Sequence, residues 1–227
     1  MKLYADGAHP EQMISLNSDS RISGFTTNPS LMKASGVTDY EMFARDVLWK
    51  IRAKPVSLEV FADEFDEMER QARIIAAWGA NVYVKIPITN TRGESSIPLI
   101  ERLSVAGVKV NVTAIFTATQ AIDAGRVLTG APAIISIFAG RIADAGRDPT
   151  GLCRSLKYQR GINVELLWAS TRELINIKQA EECGCDIITV PNDLLKKLPL
   201  IGKDLTEYSL ETVRMFHEDA KASGFSL

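Results

Sequence analysis

Apolar and polar positions alternate over eight short segments of the chain, and each segment is followed by a stretch with helical spacing. The segments are centred near residues 4, 24, 58, 84, 110, 135, 166 and 188. The clearest helical stretch covers residues 63–78, with Asp63 as N-cap and Gly79 as the stop. Strands that alternate with helices pair in parallel, because parallel neighbours need a crossover connection. Eight such units predict an α/β fold, a (β/α)8 TIM barrel.

A doubly wound open sheet is the alternative fold. It would carry a glycine-rich nucleotide loop after the first strand, where only Asp6 and Gly7 stand, so the barrel is favoured. Residues 204–221 again show near-helical spacing and predict an additional C-terminal helix after the eighth unit. Because α/β barrels of roughly 250 residues form one domain, we expect a single domain over residues 1–227.

Charge and hydropathy exclude several classes of protein. Lys and Arg number 26 and Asp and Glu 28, a formal net charge of −2, which argues against a nucleic-acid or anionic-membrane partner. The longest apolar stretch, residues 131–140, is half of what would span a bilayer. An acidic residue, Asp6, precedes any apolar run long enough for a signal peptide. We therefore expect a cytoplasmic protein.

Potential metal ligands are few. The histidines, His9 and His217, are near opposite ends of the chain, and the cysteines are Cys153, Cys183 and Cys185. Since a tetrahedral metal site needs about four ligands, we expect no metal site and interpret the cysteines as buried small hydrophobic residues. Metal-dependent aldol chemistry and histidine-based nucleophilic triads lack their usual side chains.

Strand parity predicts which side chains face the inside of the barrel. Lys85 lies between Val84 and Ile86, which suit the helix-facing side, so Lys85 is predicted to point inward, near the carboxyl ends where barrels hold their active sites. For a single Ser or Thr, a wetter strand end explains the position equally well. By the same alternation, the inward set also includes Asp6, Glu59, Asn111, Thr113, Ser136, Phe138, Trp168 and Ser170.

A buried lysine is costly unless it is paired or functional. It is also the side chain that forms Schiff bases with carbonyl groups, because desolvation favours the neutral amine. Glu59 is predicted on the neighbouring strand, roughly 5 Å away across the sheet. Direct contact would favour the charged ammonium. We therefore expect a water between Lys85 and Glu59, through which Glu59 acts as acid and base.

At these positions the chain resembles the transaldolase family, in its short, single-barrel branch. The resemblance implies an enzyme of the pentose phosphate pathway that transfers a dihydroxyacetone unit from a ketose phosphate to an aldose phosphate. It implies no cofactor, because the lysine imine serves as electron sink. It also implies a homo-oligomer, a pentamer or decamer, whose C-terminal helix packs on a neighbour. The matching motifs are Gly24-Phe25-Thr26-Thr27-Asn28-Pro29-Ser30-Leu31, Val84-Lys85-Ile86-Pro87, Asn111-Val112-Thr113, Ser136-Ile137-Phe138-Ala139-Gly140-Arg141-Ile142 and Ala169-Ser170-Thr171-Arg172.

The resemblance also implies roles for individual residues. Lys85 would form the Schiff base, Glu59 and Thr113 would hold the catalytic water, and Asp6 would handle protons at the donor hydroxyls. For the arginines, surface pairing with Asp144 or Glu173 is the alternative. The dihydroxyacetone unit would contact Asn28, Asn111 and Ser136, with Thr26 and Phe138 also lining the site, and the phosphate would contact Arg141, Ser170 and Arg172.

Three features depart from the family pattern: Trp168 where a small residue is usual, a longer loop at residues 89–93, and Gly7 after Asp6. They bear on which sugar substrate the site accepts. A fructose 6-phosphate aldolase, which releases free dihydroxyacetone, is the close alternative, and a barrel that binds a phosphorylated ligand without turnover is the distant one. In the aldolase relatives the positions of Glu59 and Phe138 resemble Gln and Tyr, so Glu59 and Phe138 favour transfer.

Overall fold

The computed structural model describes residues 1–157, 159 and 161–225. Eight parallel strands close into one barrel in chain order, with the last strand paired to the first. All eight predicted strand centres lie within these strands, so the predicted barrel is confirmed. The strands are β1 (Lys2–Asp6), β2 (Ile22–Thr26), β3 (Val56–Glu59), β4 (Val82–Pro87), β5 (Val110–Ile115), β6 (Ala133–Ile137), β7 (Val164–Trp168) and β8 (Ile187–Pro191).

Helices connect successive strands, and a short 3-10 turn, Leu198–Leu200, precedes the last helix. Within the described residues, no helix is long and apolar enough to cross a membrane. The helices are α1 (Pro10–Asn17), α2 (Pro29–Ala34), α3 (Tyr40–Lys50), α4 (Phe65–Ala76), α5 (Ile97–Val105), α6 (Ala118–Val127), α7 (Ala139–Asp144), α8 (Thr150–Leu156), α9 (Ile175–Glu182), α10 (Asn192–Leu195) and α11 (Leu205–Ala222).

Helix α4 is shorter than the 63–78 stretch predicted, and Asp63 is not its N-cap. The N-cap position is held by Glu64, whose side chain makes no capping hydrogen bond. The Asp63 carboxylate instead accepts hydrogen bonds from the backbone N and the Oγ1 of Thr91, at 2.8 and 2.6 Å. Asp63 therefore ties the loop after β3 to the loop after β4, and this competing partner explains the wrong prediction.

The chain divides into two compact units, Met1–Leu195 and Lys196–Leu227. The first is the barrel. The second contains α11, which begins where predicted, because the Asp204 carboxylate accepts a hydrogen bond from the backbone N of Glu207 at 2.9 Å. Its apolar side chains are exposed, with Phe216 at 61%. That both units form one domain stays a prediction.

An apolar cluster of buried side chains occupies the barrel interior. Tyr4 belongs to it and lies against Gly24, where a Cβ atom would come within 2.5 Å of the tyrosine ring. Leu167 and Ala169 belong to the same interior cluster, so Trp168 lies at the opposite parity and does not line the cavity above. The inward placement predicted for Trp168 is therefore wrong. The other cluster members are Tyr83, Ile134 and Ile187, with Phe138 packed against them.

Candidate active site

A cavity of about 510 Å³ opens at the carboxyl ends of the strands. Of the twelve side chains predicted for the site, only Asn111 does not line it. Its walls combine residues from all eight strands with residues of the loops that follow them. The eleven that line it are Asp6, Thr26, Asn28, Glu59, Lys85, Thr113, Ser136, Phe138, Arg141, Ser170 and Arg172.

Lys85 is buried and held from two sides. Its Nζ lies 2.8 Å from Oε2 of Glu59 and donates a hydrogen bond of 2.8 Å to the backbone carbonyl of Thr27. Glu59 and Lys85 are register partners on β3 and β4, so their side chains leave the sheet side by side. The expected intervening water is wrong: the two groups form a direct ion pair.

The Thr-Thr-Asn-Pro segment at the end of β2 builds this arrangement. The backbone N and the Oγ1 of Thr27 both donate hydrogen bonds to the carbonyl of Ser57, at 3.1 and 2.9 Å, which fixes the Thr27 carbonyl that Lys85 uses. Oδ1 of Asn28 caps α2 by accepting from the backbone N of Leu31 at 2.9 Å. Because that oxygen is engaged, a ligand contact by Asn28 falls to its Nδ2 group.

Asp6 sits at the end of a chain of hydroxyl groups. Oγ1 of Thr26 donates to Oδ1 of Asp6 at 2.7 Å and lies 2.5 Å from Oγ1 of Thr189. Since the Thr26 proton points to Asp6, Thr189 is the donor of the second bond. Burial raises the pKa of the Asp6 carboxyl above its ordinary value, and it outweighs the opposing effects of the Thr26 hydrogen bond and the Lys85 charge.

Thr189 lines the cavity and is absent from the sequence-based set of site residues. It lies on β8 between Ile188 and Val190, in the pattern that singled out Lys85 on β4, so strand parity could have found it. Oγ1 of Thr113 is buried and has no hydrogen-bond partner among the described residues. A buried hydroxyl of this kind is a place for a bound water or a substrate oxygen.

Asn111 lies beneath the cavity wall instead of in it. Its Nδ2 donates to Oγ of Ser57 at 3.1 Å, and its Oδ1 accepts from Oγ of Ser136 at 2.7 Å. Asn111 is completely buried. The structure therefore assigns it to orienting the Ser136 hydroxyl, where the resemblance had implied direct contact with the substrate.

The opposite wall carries the two arginines on the segments that follow β6 and β7. The guanidinium of Arg141 lies 5.6 Å from the centre of the Phe138 ring. Arg172 is half exposed and pairs with Asp144, with Nη2 2.6 Å from Oδ2. Both arginines line the cavity. Arg172 also makes the surface ion pair with Asp144 that was expected as the alternative to phosphate binding.

Left-handed backbone occurs on this wall, at Ser170, and on β5, at Ala114. Ala114 and Ser170, with φ of 58° and 64°, are the non-glycine residues of the described chain with positive φ, and both line the cavity. Ala114 accompanies a register shift between β5 and β6. A Cβ atom at Gly140 would lie 1.6 Å from the Ser170 carbonyl oxygen, so glycine is required where α7 meets the β7 loop. Strain of this kind is concentrated at functional sites.

The loop after β4 folds into a polar turn closed by a bridge between Thr89 and Ser95. Arg92 anchors it through Glu64, with Nη1 2.6 Å from Oε1, and through Glu94. None of the described residues that line the cavity comes from this loop. This loop therefore does not enter the cavity.

Comparison with known proteins agrees with this geometry. The chain is 35% identical to "Probable transaldolase 2" of Listeria monocytogenes over 90% of the chain and 93% of that protein. It is 36% identical to "Probable transaldolase" of Methanococcus maripaludis over 94% of the chain and 100% of that protein. The 3-hexulose-6-phosphate synthase of Salmonella typhimurium shares the fold alone, with a TM-score of 0.58 and 17% identity over 84% of this chain and 89% of that one. The family model for Transaldolase/Fructose-6-phosphate aldolase matches residues 3–227, and the chain belongs to this family.

Proposed function

We propose that the protein is a transaldolase: it transfers a dihydroxyacetone unit from a ketose phosphate to an aldose phosphate through a Schiff base on Lys85. The observation that carries the proposal is the buried amine of Lys85, in contact with Glu59 and facing the cavity near Asp6. A buried lysine beside acid and base groups is the arrangement that imine chemistry requires.

The first step is attack of Nζ on the donor ketone. An ammonium cannot attack, so Lys85 must first give up a proton, and the nearest carboxylate oxygen, Oε2 of Glu59, is 2.8 Å away. The same Glu59 group can then return the proton to the oxygen that leaves as water when the carbinolamine becomes an imine. The carbonyl of Thr27 keeps Nζ in place during this exchange.

Cleavage of the carbon–carbon bond needs a base for the hydroxyl proton of the carbon that becomes the aldehyde. Asp6 suits that role, because its raised pKa makes its carboxylate a stronger base than an ordinary aspartate. The electrons of the broken bond pass into the imine, giving an enamine. Attack of this enamine on an acceptor aldehyde, with the proton returned from Asp6, reverses the chemistry.

Release of the product requires water at the imine. Thr113 offers a buried hydroxyl without a partner among the described residues, across β4 from Glu59. A water between Thr113 and Glu59 would be oriented by a hydroxyl and activated by a carboxylate. Ser136, oriented by Asn111, would hold a hydroxyl of the dihydroxyacetone unit.

The phosphate would bind at the other end of the cavity, next to Arg141, Ser170 and Arg172. Guanidinium groups suit phosphate because they present paired N–H donors. Arg172 reaches a phosphate only by sharing or leaving Asp144. We therefore assign the larger part of phosphate binding to Arg141.

Transfer and cleavage differ in the fate of the enamine. Phe138 packs against the interior cluster and lies 5.6 Å from the Phe116 ring, so it presents carbon to the cavity and no proton. An enamine beside it would persist until an aldehyde arrives. The aldolase alternative requires a proton donor at this place.

A coupled assay with fructose 6-phosphate and erythrose 4-phosphate tests the proposal. Transfer should exceed release of free dihydroxyacetone, and Phe138→Tyr should increase release relative to transfer. Phe116→Tyr, on the ring next to it, is the matched control and should leave the ratio unchanged. If the unmodified protein releases dihydroxyacetone as fast as it transfers it, the aldolase function replaces this one.

The quaternary and cellular setting belongs to the same proposal. We expect a cytoplasmic homo-oligomer, a pentamer or decamer, built through α11. Its support is the exposure of Leu205, Val213 and Phe216 on that helix. Light scattering of the full chain and of a variant with these three residues changed to Ser tests it, since only the variant should be monomeric.

A further inference from the structure

The three cysteines of the chain come together outside the active site. Cys153 lies on α8, Cys183 follows the last residue of α9, and Cys185 precedes β8. All three are buried, at 0%, 1% and 6% exposure. Their Sγ atoms lie within 4.8 Å of one another, and the Cys183 and Cys185 sulfurs are 3.8 Å apart. The expected burial of the cysteines is confirmed, but their convergence was not expected.

The end of α9 is shaped to present two of these thiols together. Gly184 has a φ of 86°, its N–H donates to the carbonyl of Glu181, and the N–H of Cys185 donates to the carbonyl of Ala180. This is the Schellman arrangement that ends a helix with a left-handed glycine. It turns the chain between Cys183 and Cys185, so both thiols face Cys153 on α8.

We propose that Cys153, Cys183 and Cys185 form a binding site for one soft metal cation, held by three thiolates. Thiolate ligands select soft ions such as Cu(I) and Zn²⁺. A Zn–S bond of about 2.3 Å at tetrahedral angles places two sulfurs about 3.8 Å apart, the separation of Cys183 and Cys185. The third thiol must close by only about 1 Å to match.

The balance of charge and protons is simple. Three S–H bonds break, three S–metal bonds form, three protons pass to solvent, and no atom changes its oxidation state. A divalent ion leaves the site with one negative charge. The carboxyl end of α9, directly before Cys183, favours a cation.

Occupancy would fasten the outer helix α8 to the turn between α9 and β8. This is independent of the Schiff-base chemistry, because none of the three cysteines lines the active-site cavity. No metal site was expected from the sequence, because a tetrahedral site needs about four ligands. Three thiols suffice for Cu(I), and for Zn²⁺ or Cd²⁺ a small external ligand completes the shell.

Cd²⁺ is the first probe, because its bonds to sulfur absorb in the ultraviolet. Reduced, metal-free protein is loaded with one equivalent of Cd²⁺ in the native state and, separately, during refolding. We expect one Cd²⁺ per chain, three sulfur ligands by X-ray absorption, and a rise in Tm of roughly 5–10 °C at a hundredfold excess over Kd. Competition with Zn²⁺ and with Cu(I) then ranks the physiological ions, and Mg²⁺ should not compete.

The variants Cys153→Ala, Cys183→Ala and Cys185→Ala should each lose the sulfur absorption and the Tm shift while keeping transferase activity. Leu156→Ala, which leaves a cavity on α8 without removing a thiol, should keep both and controls for loss of packing. The proposal is overturned if Cd²⁺ fails to bind under both loading conditions. It is equally overturned if the bound ion in the unmodified protein has fewer than three sulfur ligands, or if the variants bind as the parent does.

Discussion

The two walls of the cavity are built in different ways. The wall from β1 to β4 holds Asp6, Thr26, Glu59 and Lys85 on strands, mostly buried and in contact with one another. The wall after β6 and β7 holds Arg141 and Arg172 on segments beyond the strand ends, exposed to solvent and shaped by left-handed backbone. A reacting group must be held within tenths of an ångström, whereas a phosphate tolerates a mobile cation. We therefore expect substitutions on the first wall to lower kcat and substitutions on the second wall to raise KM.

The largest effect is expected from Lys85. Lys85→Ala removes the only amine in the cavity wall among the described residues, so transfer should fall by about 10⁴-fold or more. Lys109→Ala, which removes a half-buried lysine outside the cavity whose Nζ donates to the Ala80 carbonyl, is the matched control and should keep its activity. Steady-state transfer rates check this. Full activity in Lys85→Ala would place the chemistry on another residue.

Asp6→Asn should lower kcat by about 10²–10⁴-fold, because a general base is lost. The same change should stabilise the fold at neutral pH. The pKa of Asp6 is raised from its ordinary value of 3.8, so the protonated carboxyl stabilises the folded state below that pH, and this contribution is lost as pH rises through the folded pKa.

Thermal unfolding from pH 4 to pH 8 checks the stability half of this prediction. The Tm advantage of Asp6→Asn should be small near the ordinary pKa and grow as pH rises. An advantage that shrinks with rising pH would mean that the carboxylate of Asp6 is stabilised by its neighbours instead of destabilised by burial.

Thr189→Val tests the role of the hydrogen-bonded chain from Thr189 through Thr26 to Asp6 on the first wall. Without the Thr189 donor, Thr26 is free to turn its proton away from Asp6, so we expect kcat to fall by roughly 5- to 30-fold, from the loss of about one hydrogen bond to a charged group. The acid limb of the pH–rate profile should move to higher pH, because the carboxylate loses support. A fall in kcat without a shift of the profile would indicate packing alone, and Thr189→Ser should restore both.

On the second wall, Arg141→Ala should raise KM for phosphorylated sugars by about 10²-fold, or about 3 kcal/mol. Arg172→Ala should raise it by about tenfold, because this arginine is half exposed and already paired with Asp144. Asp144→Ala, which frees Arg172, should lower KM slightly. The KM for unphosphorylated substrates should hardly change in any of the three variants. Equal losses for both substrate types would show that the arginines serve structure.

The sequence predicted the first wall better than the second because its residues obey strand alternation. Val84 and Ile86 fix the orientation of Lys85, and Leu58 and Val60 do the same for Glu59. Parity failed at Trp168, since Leu167 and Ala169 take the inward side of β7 and Ser170 reaches the cavity only through its left-handed backbone. Such a conformation leaves no mark on the hydrophobic pattern.

Contacts between side chains were the other feature that could not be predicted from the sequence. The direct bond between Lys85 and Glu59 follows from strand register, which the chain pattern leaves open by one or two residues. Asn111 was predicted on the correct, inward face, but its hydrogen bonds to Ser57 and Ser136 join three strands and cannot be predicted from the pattern of one strand. The convergence of the three cysteines likewise depends on the packing of α8 against the end of α9.

Trapping with borohydride is the most direct test for a Schiff base on Lys85. The protein is incubated with fructose 6-phosphate and borohydride, which reduces an imine to a stable secondary amine, and the modified peptide is identified by mass spectrometry. We expect one adduct of the dihydroxyacetone unit, on Lys85, and none in Lys85→Ala. An adduct on another lysine, or turnover of the donor without any trapped adduct, would contradict this expectation.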